Sequence, residues 1–137
     1  MRLLWQSFVD DKQNPAYFER LHAHAAELLK DERSAVLCGD WNVVPDDRDV
    51  FSVRATQHDA VMQPETRAAF GRLLEQGWVD AVRALHPTQR MYSFWVNAHA
   101  FERSAGFRLD FLLLNGCAAE RLRAAGVDQY CRAHAKA

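Results

Sequence analysis

The sequence predicts an α/β fold of the mixed α+β kind, in one domain over residues 1–137. Three observations predict it. The chain has 137 residues, the length of a single domain. Apolar residues make up 49% and charged residues 26%, enough for a core and too little charge for disorder. Short apolar runs bounded by turn residues interleave with stretches that are apolar at helical spacing.

In chain order, residues 3–9 (LLWQSFV) suit a short strand. Asn14 followed by Pro15 is a helix start, a capping side chain and then a residue whose φ is already set. Tyr17, Phe18, Leu21, Ala25, Leu28 and Leu29 follow at helical spacing, and this helix should end near Lys30. SAVLCGD (34–40) reads as a buried strand stopped by Gly39, with Asp40 at its carboxyl end. Residues 43–63 read as a loop with Pro45 and the acids Asp46, Asp47 and Asp49. Pro64 opens a second helix with Glu65 in its first turn; Phe70, Leu73 and Leu74 face inward and Gly77 stops it. WVDAVRALHP (78–87) suggests a short helix ended by Pro87. MYSFWV (91–96) and FRLDFLLL (107–114) are β-rich and are joined by a polar connection. A final helix is expected over 117–125 and a last strand over 126–132.

Several classes fall away. The apolar runs are too short to span a bilayer, so no membrane association is expected. MRLLWQSFVDD has no uninterrupted apolar core and no small-residue cleavage site, so it does not read as a signal peptide. The three cysteines, Cys38, Cys117 and Cys131, lack metal-ligand spacing and read as reduced thiols of a cytoplasmic protein. The net charge of −1 excludes a polybasic mode of nucleic-acid binding while leaving room for local positive charge. Arginine outnumbers lysine 14 to 3, which suits forked phosphate recognition but is better explained by genomic base composition.

Two constellations carry chemistry. In GDWN (39–42), Asp40 can orient or deprotonate a water or bind a hard cation, and Asn42 can donate to a phosphoryl oxygen. The same four residues also make a turn, with Asp and Asn bonding their own backbone. In YSFW and GFRLDFLLL, Asp110 interrupts an apolar strand, and a carboxylate there needs a partner such as a histidine or a metal. Strand alternation puts Phe107, Leu109 and Phe111 on one face and Arg108 with Asp110 on the other, which also allows a water-facing Asp110. Phe94, Trp95 and Phe107 are candidates to line a pocket or to pack as core, and Arg103 and Arg108 are candidates to grip phosphate.

GDWNVVPDDRDV, GWVDAVRALHP, YSFW, FERSAG and FRLDFLLL, in that order, closely resemble the exodeoxyribonuclease III family of the endonuclease/exonuclease/phosphatase superfamily, from roughly residue 10 to residue 132. The resemblance implies half of a four-layer α/β sandwich, and a Mg²⁺- or Mn²⁺-dependent nuclease acting on duplex DNA at abasic sites and 3′ ends. It implies that Asp40 activates water and, with Asn42, helps hold the metal; that Asn42 contacts the scissile phosphate; that Asp110 orients a catalytic histidine; and that Phe94, Phe107 and Leu109 accept a flipped-out abasic sugar.

The chain also departs from that family. Nothing in it matches the Asn, the Glu and the Tyr that the first half of the family supplies, and the Asn-Gly expected near residues 8–14 reads FVDDKQN. The final Ser-Asp-His segment is missing, and His134 lacks its context. The chain is therefore expected to be the second half of the domain and weakly active or inactive alone, with a homodimer or a complementing half-domain covering its sheet. A non-catalytic DNA-binding remnant and another phosphoesterase of the superfamily are the alternatives.

Overall fold

The computed structural model describes residues 2–5 and 15–130. Among them, one mixed sheet holds β1 (Arg2–Trp5), β2 (Ala35–Asp40), β3 (Val79–Asp80) and β4 (Asp110–Leu114) in the order β1-β2-β4-β3. β1 runs parallel to β2, and β4 runs antiparallel to both β2 and β3.

Two long helices, α1 (Pro15–Leu29) and α3 (Pro64–Glu75), cover one face of this sheet. Ala25 and Leu28 of α1 and Phe70 and Leu73 of α3 meet Ala35 and Leu37 of β2 and Phe111 and Leu113 of β4 in one buried cluster. The period of two along each strand sends Val36, Cys38 and Leu112 to the other face, where Leu112 is 43% exposed. The His22 imidazole donates to the Ala69 carbonyl at 2.8 Å and the Gln76 amide to the His22 carbonyl at 3.1 Å, tying the two helices together.

Pro64 opens α3 as the sequence predicts, and Gly77, at φ +110°, closes it with its N–H on the Leu74 carbonyl. Asn14 and residues 6–9 lie outside the described residues, as do Cys131 and His134.

Several expectations need correction. Residues 43–63 are not a plain loop: Asp46, Ser52 and Asp59 each cap a short helical turn, at Asp47–Asp49, at α2 (Val53–Thr56) and at Ala60–Met62. The 91–96 segment forms no strand; Ser93 and Phe94 both donate to the single Phe107 carbonyl, at 2.8 and 2.9 Å, and the ladder stops there. Residues 78–87 divide between β3 and α4 (Ala81–Leu85), which Asp80 caps. The helix expected over 117–125 shrinks to α6 (Gly116–Ala119), and residues 122–129 form no regular element. Buried Asn115 caps α6, accepts from the Ala35 N–H at 3.0 Å and donates to the Arg33 carbonyl at 2.9 Å, so its local polar bonds stop β4 and start the turn. The polar connection between residues 97 and 106 holds α5 (Ala98–Glu102), capped by Asn97.

Candidate active site

The carboxyl end of β2 and the amino end of β4 meet in antiparallel register, so Asp40 and Asp110 face each other as a cross-strand pair. The Trp41 N–H donates to the Leu109 carbonyl at 2.8 Å and fixes the pair just beyond the ladder. Asn42 stands at φ +44°, a left-handed conformation that asparagine tolerates better than most residues, and its N–H donates to Asp40 Oδ1 at 2.8 Å. The turn reading of GDWN thus holds, with the Asn42 N–H fixing the Asp40 carboxylate.

Ser93 anchors the other acid. Its Oγ accepts from the N–H groups of Leu109 and Asp110, each at 3.1 Å, and its hydroxyl bonds the Asp110 carboxylate. Desolvation pushes the Asp110 carboxyl above its ordinary value and the Asp40 charge pushes it further, while the Ser93 bond opposes both. As pH rises past the ordinary value of 3.8, the unfolded chain ionises first, so stability falls through this window. Asp110→Asn is expected to remove that fall and to gain no more than about 0.5 kcal/mol at pH 7. Urea denaturation at pH 3 and pH 7 reads this directly; a variant less stable than the parent at pH 7 would show that the charge is stabilising instead.

Beside the acids stands an aromatic wall. Phe107 pairs its backbone with both Val50 and Phe94, and its ring lies 5.8 Å from that of Phe51 and 6.4 Å from that of Phe94. Phe107 and Leu109 are buried, Phe94 is 41% exposed, and Trp95 packs inward on Phe101 with ring centroids 4.9 Å apart. Gly106 makes this wall possible, because a Cβ there would meet Trp95 Nε1 at 2.5 Å and the Phe94 carbonyl oxygen at 2.9 Å. Arg103 is exposed just after α5.

Arg108 is corrected from a phosphate contact to a buried structural group. It is 1% exposed, it forks onto Asp49 at 2.7 and 3.2 Å and onto Asp80 at 2.9 and 2.7 Å, and its guanidinium lies 4.4 Å from the Phe111 ring centroid. The strand alternation that paired it with Asp110 fails because β4 begins only at Asp110, and Arg108 instead bonds the Asp49 carbonyl. Asp49, Asp80 and Arg83, which completes the cluster through Asp49, were not singled out by the sequence; nor were Ser93 and Phe51. Capping acids and ion-pair acids look alike in a string of aspartates.

Asp40, Asp110 and the Asn42 amide offer oxygen donors of the kind a hard cation takes. Among the described residues no group of three or more His, Cys, Asp or Glu is placed to hold a metal. An open groove of about 720 Å³ lies at the opposite end of the ladder, lined by Val36, Leu114, Arg33 and Arg121 among others, away from the acids.

A family model described as "Endonuclease/Exonuclease/phosphatase family" matches residues 9–131. An exodeoxyribonuclease of Bacillus subtilis (strain 168) is 32% identical over 102 residues, which are 73% of this chain and 40% of the relative. A DNA repair nuclease, APEX1, of Danio rerio is 36% identical over 89 residues, 64% of this chain and 29% of the relative. A solved AP endonuclease from Archaeoglobus fulgidus matches with a TM-score of 0.85 and 30% identity, covering 96% of this chain and 55% of that one. The chain thus has the fold of about half of an AP endonuclease and spans under half the length of either sequence relative.

Proposed function

The chain belongs to the endonuclease/exonuclease/phosphatase family, and from that membership and its acid pair we propose that it serves a divalent-metal-dependent DNA repair nuclease, hydrolysing phosphodiesters of duplex DNA at abasic sites and 3′ ends. The observation that carries this reading is the register of Asp40 against Asp110, with Asn42 turned back onto Asp40 and the Phe94–Phe107 wall beside them. The names of the relatives, an exodeoxyribonuclease, a DNA repair nuclease and an AP endonuclease, support it.

Asp40 and Asn42 would hold Mg²⁺ or Mn²⁺, whose chemistry when bound is to polarise a phosphoryl oxygen and acidify a water. The chain's own residues do the rest. Asp40, aimed by the Asn42 N–H, orients the attacking water and accepts its proton. The Asn42 side chain donates to the scissile phosphate as its charge grows. Asp110, held by Ser93, accepts an N–H from an imidazole brought against it and fixes that ring. Phe94, Phe107 and Leu109 take the abasic sugar, which is small enough to enter where a whole nucleotide is not. Arg103 pairs with a backbone phosphate. A complementing half-domain or a second copy of the chain packs on the sheet face that carries Val36, Cys38 and Leu112, and the half-domain supplies the remaining metal ligands.

Duplex binding tests this reading without needing turnover. In Mg²⁺, the chain is expected to bind a duplex with one tetrahydrofuran abasic site about tenfold or more tighter than the intact duplex, with affinity falling as salt rises. Equal affinity for both duplexes would contradict it.

A further inference from the structure

Phe51 has no part in the scheme above, yet the fold presents it with care. Its N–H donates to the Gly106 carbonyl at 3.0 Å, its neighbour Val50 is bridged to Phe107, and Arg90 donates to the Val50 carbonyl at 2.7 Å. The loop is therefore pinned on both sides of the ring, and the ring itself is 36% exposed. It stands edge-on to buried Phe107 at 86°, while Phe94, 41% exposed, flanks the same ring at 52°. Two outward aromatic faces thus share one buried aromatic support. Arg54 and Arg90, both exposed, lie on the same segment and against it. Phe94 follows directly on Ser93, the residue that anchors Asp110.

An exposed aromatic face with the Arg90 guanidinium bonded to its backbone, near in the chain to an acid pair read as phosphate-directed, suits a flat π-system carried on a polyanion. Resting on the nuclease reading above, we propose that Phe51, at the edge of the Phe94–Phe107 wall, forms a platform on which an unstacked nucleobase of the bound DNA lies. The base opposite an abasic site is the one most readily unstacked, because it has already lost its pair.

The test uses the whole chain and a duplex with a tetrahydrofuran site opposite 2-aminopurine, in Mg²⁺. Binding by the parent is expected to quench the 2-aminopurine emission. Phe51→Leu, apolar but unable to stack, should lose the quench and bind about fivefold or more weakly, as expected for one lost base–aromatic stack. Its salt slope should be unchanged, because no phosphate contact is removed. Phe51→Trp should retain both quench and affinity, and circular dichroism should show both variants folded. A Phe51→Leu chain that binds and quenches like the parent overturns the platform and leaves the nuclease reading standing. Equal loss in Phe51→Trp overturns it too, since the effect would then come from packing and not stacking. No preference of the parent for the abasic duplex overturns both.

Discussion

Arg108→Met is expected to lower the free energy of unfolding by about 3–5 kcal/mol, a large part of what holds a domain of this size together. Arg108 is 1% exposed and bonds Asp49 and Asp80, which are 0% and 9% exposed. Burial works against the guanidinium charge, but the bonds to Asp80 and Asp49 outweigh it and keep the group charged. Two arginines, Arg83 and Arg108, balance two aspartates, so the cluster is neutral as a whole. Removing Arg108 leaves two buried carboxylates to share Arg83, and Arg83 reaches Asp80 only through its backbone N–H. Arg108→Lys should fall between the two, because one ammonium cannot fork onto both acids. Urea denaturation followed by tryptophan fluorescence measures the series. Parent-like stability in Arg108→Met would show that the cluster is not what joins β3, β4 and the Asp47–Asp49 turn.

The same residue shows where the sequence stops being legible. FRLDFLLL looks like one strand, and alternation places Arg108 beside Asp110. The chain instead spends residues 107–109 on pairing with Val50, Asp49 and Trp41, long-range partners that no local pattern announces. Features written into short segments were readable: Pro64 and Gly77 bound α3, the apolar run of β2 ends at Asp40, and α1 ends at Leu29 where its apolar period stops. The acids between residues 46 and 59 were not. Asp46 and Asp59 cap turns while Asp49 holds two arginines, and the difference lies wholly in what arrives from elsewhere in the fold. Asp40 and Asp110 came from GDWN and an acid inside an apolar run; that they face each other came only from the register.

Asp40→Asn is expected to have the largest effect on turnover, because it removes the proposed proton acceptor and metal ligand while leaving an oxygen to accept the Asn42 N–H. The fold should therefore survive the change that ends the chemistry. The decisive measurement is Mg²⁺-dependent nicking of a duplex with one abasic site, using the chain alone and the chain extended by the final segment of the Bacillus subtilis exodeoxyribonuclease and mixed with that protein's separately produced first half. The mixture is first shown by size exclusion to form a complex. The chain alone is expected to give no detectable nicking, because on the proposed reading its acid pair supplies only part of a metal shell. The complex is expected to nick at the abasic site, and Asp40→Asn should lower that rate by about 10²-fold or more. Nicking that survives Asp40→Asn, or a stable complex that leaves the abasic duplex intact, would contradict the assignment of this acid pair to phosphodiester hydrolysis.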